Sequence, residues 1–191
     1  MKTTVLIRNN KQSVSIMRTI FLSVLFVLMA SPLFAQGAFD KFDGQDDVTS
    51  VIVNKKMFEM MSKVKVDASD KEMQQYHRLI KKLDNLKVFT TKSSRVEAEM
   101  KATAERYMKT ANLEELMRVN DNGRSIKILV KSGAKDTQIR ELLMFIDGGK
   151  GEDSVLMSLT GDFDLNEISV LTDKMRFPGG DDLKKATKGK K

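Results

Sequence analysis

The chain contains no cysteine, two prolines and a single histidine in 191 residues. The lack of cysteine excludes disulfides, thiolate metal sites, a cysteine nucleophile and the lipid-bearing cysteine of a bacterial lipoprotein. One histidine, His77, cannot build a histidine-based metal centre, and neither H-E-x-x-H nor H-x-x-x-H spacing occurs. His77 lies beside an apolar helical stripe, where a boundary histidine is the plain reading. No G-x-S-x-G elbow and no S-x-x-K motif with its partner motifs is present. Aromatic residues make up only 6% of the chain, and the Lys-rich C-terminus has none, so it offers no base-stacking platform.

Near the N-terminus the mostly apolar run 20–34 follows Arg18 and ends at Ala35, before a polar stretch that opens with Gln36. A positive flank, a short apolar stretch and a small residue at the cut describe a secretory signal peptide. The run is too short for a stable span, which needs ~20 apolar residues. Cleavage is expected between Ala35 and Gln36. Met17 would begin a signal of ordinary length and is the expected start. The mature chain is then exported and periplasmic, with no transmembrane segment. A chain of about 150 residues buries ~70% of its unfolded surface, which is enough to hold one domain without disulfides.

The formal charge of +7 does not indicate a nucleic-acid partner. Lys2, Arg8, Lys11 and Arg18 precede Gln36 without an acid among them, leaving 29 basic against 26 acidic residues. Five more lysines, from Lys184 to the C-terminus, sit in the tail. The body 36–183 carries 24 basic and 26 acidic residues, and such a near-neutral body lacks the footprint of a nucleic-acid binder.

Hydrophobic periodicity divides the chain into a leader (1–35), a polar, acidic lead-in (36–47), one globular domain (48–178) and a Lys-rich flexible tail (179–191). Residues 48–53 are β-branched and read as a strand. Asn54 opens a helix with Met57, Phe58, Met61 and Val64 on one face. A capping box of Ser69 with Glu72 begins a second helix, striped by Met73, Tyr76, Ile80 and Leu83 and closed by Asp84 and Asn85. After a strand at 86–91, a box of Ser94 with Glu97 begins a third helix, striped by Val96, Met100, Tyr107 and Met108 and closed by Asn112 in a left-handed conformation. The period then changes to two. Four strands are expected at 113–119, 124–131, 138–146 and 154–159, with turns at Asn122-Gly123, Ser132-Gly133 and Gly148-Gly149. The segment 142–146 is apolar on both faces and belongs in the middle of the sheet. A last helix over 165–175 is capped by Asp164 with Glu167, and Phe163 with Ile168 form its hydrophobic staple. The order β-α-α-β-α-β-β-β-β-α implies an α+β fold: a largely antiparallel sheet of five or six strands, three or four helices on one face, and possible parallel pairing at the β-α-β start.

Motifs with residue types suited to chemistry have plainer readings. Asp162, Asp164 and Asn166 resemble the start of an EF-hand loop, but Glu167 stands where glycine is needed and Asp173 where a bidentate glutamate belongs. A helix cap explains them better. Asp40, Asp43, Asp46 and Asp47 form a solvated acidic lead-in that could at most hold calcium weakly. The glycine-rich stretch 148–154 precedes a strand and so offers phosphates no helix N-terminus. The ten methionines after Gln36 either fill an irregular core or line a groove for an apolar ligand or a peptide.

The segments 47–58 (DVTSVIVNKKMF), 86–90 (LKVFT), 112–117 (NLEELM), 141–145 (ELLMF) and 159–168 (LTGDFDLNEI) together resemble the bacterial exported family called domain of unknown function four-two-five-two. The resemblance covers nearly all of the chain after the leader. It implies a single-domain envelope protein of Gram-negative bacteria, and it carries no catalytic residues over because none is established for the family. The expectation is therefore a non-enzymatic binding or interaction module, with no catalytic, cofactor-binding or metal-binding residues and no cofactor. Its partner would be an envelope protein or an apolar ligand. The alternatives are a carrier of a small apolar or amphiphilic ligand in a groove lined by Met and Phe, and an envelope hydrolase with an unrecognised site.

Overall fold

The computed structural model describes residues 37–188 apart from 68, 122, 136, 150 and 177. The expected leader and residues 189–191 lie outside the described residues. The described residues from Ala38 onward form one compact unit. Its elements are β1 (Thr49–Asn54), α1 (Lys55–Met61), α2 (Lys71–Ile80), β2 (Leu83–Thr91), α3 (Ser94–Ala111), β3 (Glu114–Asp121), β4 (Arg124–Ser132), β5 (Gln138–Asp147), β6 (Ser154–Asp164), α4 (Ile168–Met175) and α5 (Gly180–Lys188). The α+β fold and the order of its elements broadly follow the sequence pattern.

Among the described residues the strands form one sheet in the order β1-β2-β6-β5-β4-β3, and every neighbouring pair is antiparallel. No parallel pair arises at the β-α-α-β start. One crossover helix would carry the chain to the far end of the sheet, whereas α1 and α2 go out and return. The first residues of β2 therefore meet the end of β1, with Asn54 opposite Asn85 and Lys55 bonded to Asp84 at 2.8 Å. β5 and β6 occupy the centre, as their unbroken apolar stretches require.

The helices do not share one face. Alternation along the strands sends Leu86, Val88, Ile128, Leu142, Met144, Met157 and Leu159 to one side, where they pack with Phe58 of α1, Leu79 and Ile80 of α2, Ile168 and Leu171 of α4, and Leu183 of α5. Phe89, Leu129, Leu143, Phe145 and Leu156 point the other way and meet Val96, Met100, Ala104 and Tyr107 of α3. With apolar residues at consecutive positions, β5 and β6 have two faces to cover, and α3 covers the second. Its 18 residues reach about 27 Å, enough to cross the sheet from β2 to β3 at the far edge. Polar contacts run along this crossing: Glu97 accepts from Ser154 at 2.8 Å, Lys101 pairs with Asp147 at 3.1 Å and Glu105 with Lys127 at 3.7 Å.

Each flank assigned to a polar segment contributes apolar side chains to the core. In the lead-in, Phe39 and Phe42 are buried against the α3 face, with ring centroids 5.0 Å from Tyr107 and 5.8 Å from Phe89. Two aromatic side chains outweigh the acidic residues around them. The tail continues as α5 after the turn at Pro178 and Gly179, and Leu183 is 0% exposed in the first cluster. Gly179 has φ +80°, and a Cβ there would lie 2.6 Å from the Met144 methyl and 2.8 Å from Ile146 Cδ1. Only glycine lets this turn lie so close to the sheet.

The caps are partly displaced. Asn54 caps α1 by accepting from the Met57 amide, and Asn112 closes α3 with φ 53°. The Asp164 and Glu167 box forms over the 3-10 turn Leu165–Glu167 that leads into α4. Asp70, one residue beyond the expected Ser69, caps α2, because Ser69 is occupied with Asp67. The box expected at Ser94 does not form. Ser93 stands at the N-cap without a side-chain bond, and Glu97 is engaged by Ser154. Asp84 and Asn85 lie within β2, which starts at Leu83, rather than ending α2. The Asn122 half of the β3–β4 turn lies outside the described residues, and Gly123 has φ +86°.

Because Leu183 is fully enclosed, Leu183→Ala should lower the unfolding free energy by about 2–4 kcal/mol. Urea denaturation checks this, and a loss under about 0.5 kcal/mol, the surface-substitution range, would contradict the docking of α5.

Candidate interaction surface

An antiparallel sheet with two ends leaves one side of each outer strand without a ladder partner. The outer strands here, β1 and β3, differ in how they handle this. β3 carries Glu114, Glu115, Arg118 and Asp121 along its length and has a bulge between Glu115 and Met117. Charge and irregular pairing are the usual means by which edges resist another strand. β1 reads TSVIVN, with no charged residue, no proline and unbroken register against β2.

The β1 edge is also apolar at its surface. Val51 is 43% exposed and Ile52 42%, and the exposure continues along the chain with Met57 at 49% and Met60 at 57% on α1. Val51 stands opposite Val88 on the side of the sheet that α1 covers, and Ile52 stands opposite Lys87 on the α3 side. β1 thus offers large apolar groups on both faces beside unpaired backbone. α1 orients this surface because it is short and keeps one deeply buried residue, Phe58, which leaves Met57 and Met60 on the outside. The sequence pattern sets Met57 on one face with Phe58, whereas the fold buries Phe58 and exposes Met57.

The methionines divide between the two readings. Met100, Met144 and Met157 are fully enclosed in the two cores, where they act as packing. A small cavity between α3 and the sheet, lined by Ala104, Met108, Leu129 and Phe145 together with the charged residues Lys101, Glu105 and Lys127, holds about 20 Å³. That is room for about one water, against the ~300 Å³ or more of ordinary ligand sites. A larger depression of about 700 Å³, bordered by Thr49, Thr90, Thr91 and Asp153, is shallow and mixed in polarity.

The other residues singled out in the sequence are engaged structurally. His77 is half-buried on α2, its ring 6.3 Å from that of Tyr76. Asp164 accepts from Thr137 and from Asn166, and Asp162 accepts from Gln138. In the lead-in Asp43 accepts from Ser50 at 2.6 Å, and Asp40 pairs with Lys87. Among the described residues no group of three or more acidic or imidazole side chains is arranged to hold a metal ion. The stretch 148–154 is the β5–β6 connection, where the Gly148 amide donates to the Ser154 hydroxyl at 3.2 Å. No helix of the described residues is long and apolar enough to cross a membrane.

Residues 42–171 match the family described as Domain of unknown function (DUF4252). The chain belongs to this DUF4252 family. The DUF4252 match opens at buried Phe42, closes at buried Leu171 of α4 and includes the whole sheet, so both edges lie inside it. No curated protein and no solved structure matches the chain.

One buried ionisable pair lies within the DUF4252 region. Glu141 on β5 is only 7% exposed, on the α3 face, and its Oε1 has no hydrogen-bond partner among the described residues. Burial pushes its carboxyl above the usual range, and the Tyr107 hydroxyl and the charge of Lys131 pull it partly back. Tyr107 is raised in turn, by burial first and then by its hydrogen bond to Glu141. A glutamate directly before the apolar run 142–146 of β5 was the signal available in the sequence. The folded state holds the Glu141 proton more tightly than the unfolded chain, so its stabilising contribution is complete below the unfolded pKa and is lost as pH rises through the folded value. Glu141→Gln should therefore match the natural chain in acid and become more stable than it towards neutral pH. Urea titrations across this pH range measure the difference; a Gln variant less stable at neutral pH would contradict the assignment.

Proposed function

We propose that this DUF4252 protein is an exported, periplasmic, non-catalytic binding module of the bacterial envelope that takes a protein partner along the β1 edge. The observation that carries the reading is the contrast between the sheet's two outer strands: β3 is charged and bulged, whereas β1 is uncharged, regular and flanked by exposed Val51, Ile52, Met57 and Met60. A strand added there would make main-chain hydrogen bonds and bury alternate side chains against both faces. Export rests on the leader pattern that ends at Ala35 and is consistent with a fold that needs no thiol chemistry.

A carrier of small apolar molecules is supported only by the exposed methionines of α1. The enclosed positions of Met100, Met144 and Met157, and a cavity of about 20 Å³, favour a filled interior. An envelope hydrolase has less support. Ser50 and Ser154 donate to the carboxylates of Asp43 and Glu97, and Ser125 to the Asn120 amide oxygen; these bonds tie neighbouring elements together, and the single histidine, His77, lies on α2 beside Tyr76.

Native mass spectrometry of the protein recovered from its own envelope fraction tests the reading. The expected result is a chain that begins at Gln36 and carries a polypeptide mass, with that mass lost in Ile52→Lys while the fold is kept. Recovery of the intact leader from the cytosol, or an unaccompanied chain in both variants, would contradict it. A lipid-sized addition would favour the carrier reading.

A further inference from the structure

The reading of β1 as a docking edge leads to a specific partner. We infer that the strand taken up by β1 is β1 of a second copy of this chain, the two pairing antiparallel about a twofold axis to join two sheets into one. The inference rests on the proposed function, since it needs β1 to be the docking edge, and it adds the identity of the occupant.

Charge placement carries it. The uncharged strand Thr49–Asn54 is preceded by exposed Asp46 and Asp47 and followed by exposed Lys55 and Lys56. In an antiparallel pair of identical strands, the acidic end of each copy lies beside the basic end of the other, twice over. A parallel arrangement would set like charges together, which is unfavourable for facing residues. The same polarity makes the edge complementary to itself without asking for any outside sequence.

Symmetry narrows the register. A twofold axis normal to the sheet keeps the same face of both copies on one side, and it allows only registers centred on a residue. Centring on Val51 sets it against its own counterpart and Ser50 against Ile52, and it brings Asp47 beside Lys55 and Asp46 beside Lys56. Centring on Ile52 instead moves Asp47 towards Met57 and loses that match. Lys55 bonds Asp84 within its own chain at 2.8 Å, with both side chains more than half exposed, so it can be shared with a second carboxylate. The other outer strand closes the assembly. A head-to-tail contact of β1 with β3 would propagate into a filament, but the charges and bulge of β3 oppose it. Each copy then has one open edge, and pairing two of them uses both.

The absence of cysteine makes the test clean. The compact unit from Ala38 onward, carrying Val51→Cys, should form a covalent dimer under mild oxidation, because facing residues of antiparallel strands sit within disulfide reach. Val119→Cys, exposed on β3, should not. Without oxidation, sedimentation should show the natural unit passing from monomer to dimer with concentration. Asp46→Lys with Asp47→Lys, and separately Lys55→Glu with Lys56→Glu, should each weaken the dimer about tenfold or more, and an equimolar mixture of the two should restore it. A natural unit that stays monomeric, a Val51→Cys variant that gives no more dimer than Val119→Cys, or a mixture no tighter than its components would overturn the second copy as partner. Should the unit be monomeric while Ile52→Lys still loses a polypeptide from the envelope preparation, the docking edge stands with a different occupant. Should both fail, the proposed function falls as well.

Discussion

Backbone hydrogen bonding at the rim of the sheet is the constraint on which this structure turns. Inside the sheet each strand has a neighbour on both sides, so its peptide groups are satisfied. Among the described residues β1 and β3 each keep one side without a ladder partner. β3 holds that side in water with charged residues and breaks its regularity with a bulge. β1 does neither, and it adds exposed valine and isoleucine. Leaving such a strand bare invites uncontrolled association, which is the physical reason for expecting a dedicated occupant there.

The rest of the fold makes the β1 edge rigid. β5 and β6 are apolar towards both faces and must be covered twice, so α3 lies on one side and the other four helices on the other. β1 is tied to this sheet through β2, and its flanks are pinned by the burial of Phe42 before it and Phe58 after it. A preformed strand loses little further conformational freedom when a partner adds to it, which favours binding. The filled interior agrees with this division of labour: Met100, Met144 and Met157 pack the cores, and the apolar side chains left over are displayed at β1 and α1.

Much of this was legible from local pattern. Period-two alternation located the four consecutive strands, and capping residues such as Asn54, Asn112 and Asp164 located helix ends, because both signals act over a few residues. Apart from the cap of α2, which moved because nearby Asp67 engages Ser69, the misses below were decided by contacts between residues distant in sequence. The side of the sheet taken by α3 depended on Phe89, Leu143 and Phe145 needing cover. Phe39 and Phe42 looked isolated within an acidic stretch until Tyr107 and Phe89 met them. Leu183 alone did not mark a helix among lysines, yet it fills a place in the core. The box expected at Ser94 gave way because Ser154, far along the chain, engages Glu97.

The exposed apolar edge at β1, the proposed docking site, was the least legible feature. TSVIVN reads as a strand from its β-branched residues, but nothing local tells an outer strand from a central one, and a central strand of this composition would be unremarkable. Amide hydrogen exchange, followed residue by residue in dilute and concentrated protein, tests the central claim most directly. Amides of Thr49–Asn54 should gain protection as concentration rises while those of Glu114–Asp121 stay unchanged. Protection gained along β3 instead, or β1 amides equally protected at every concentration, would contradict it.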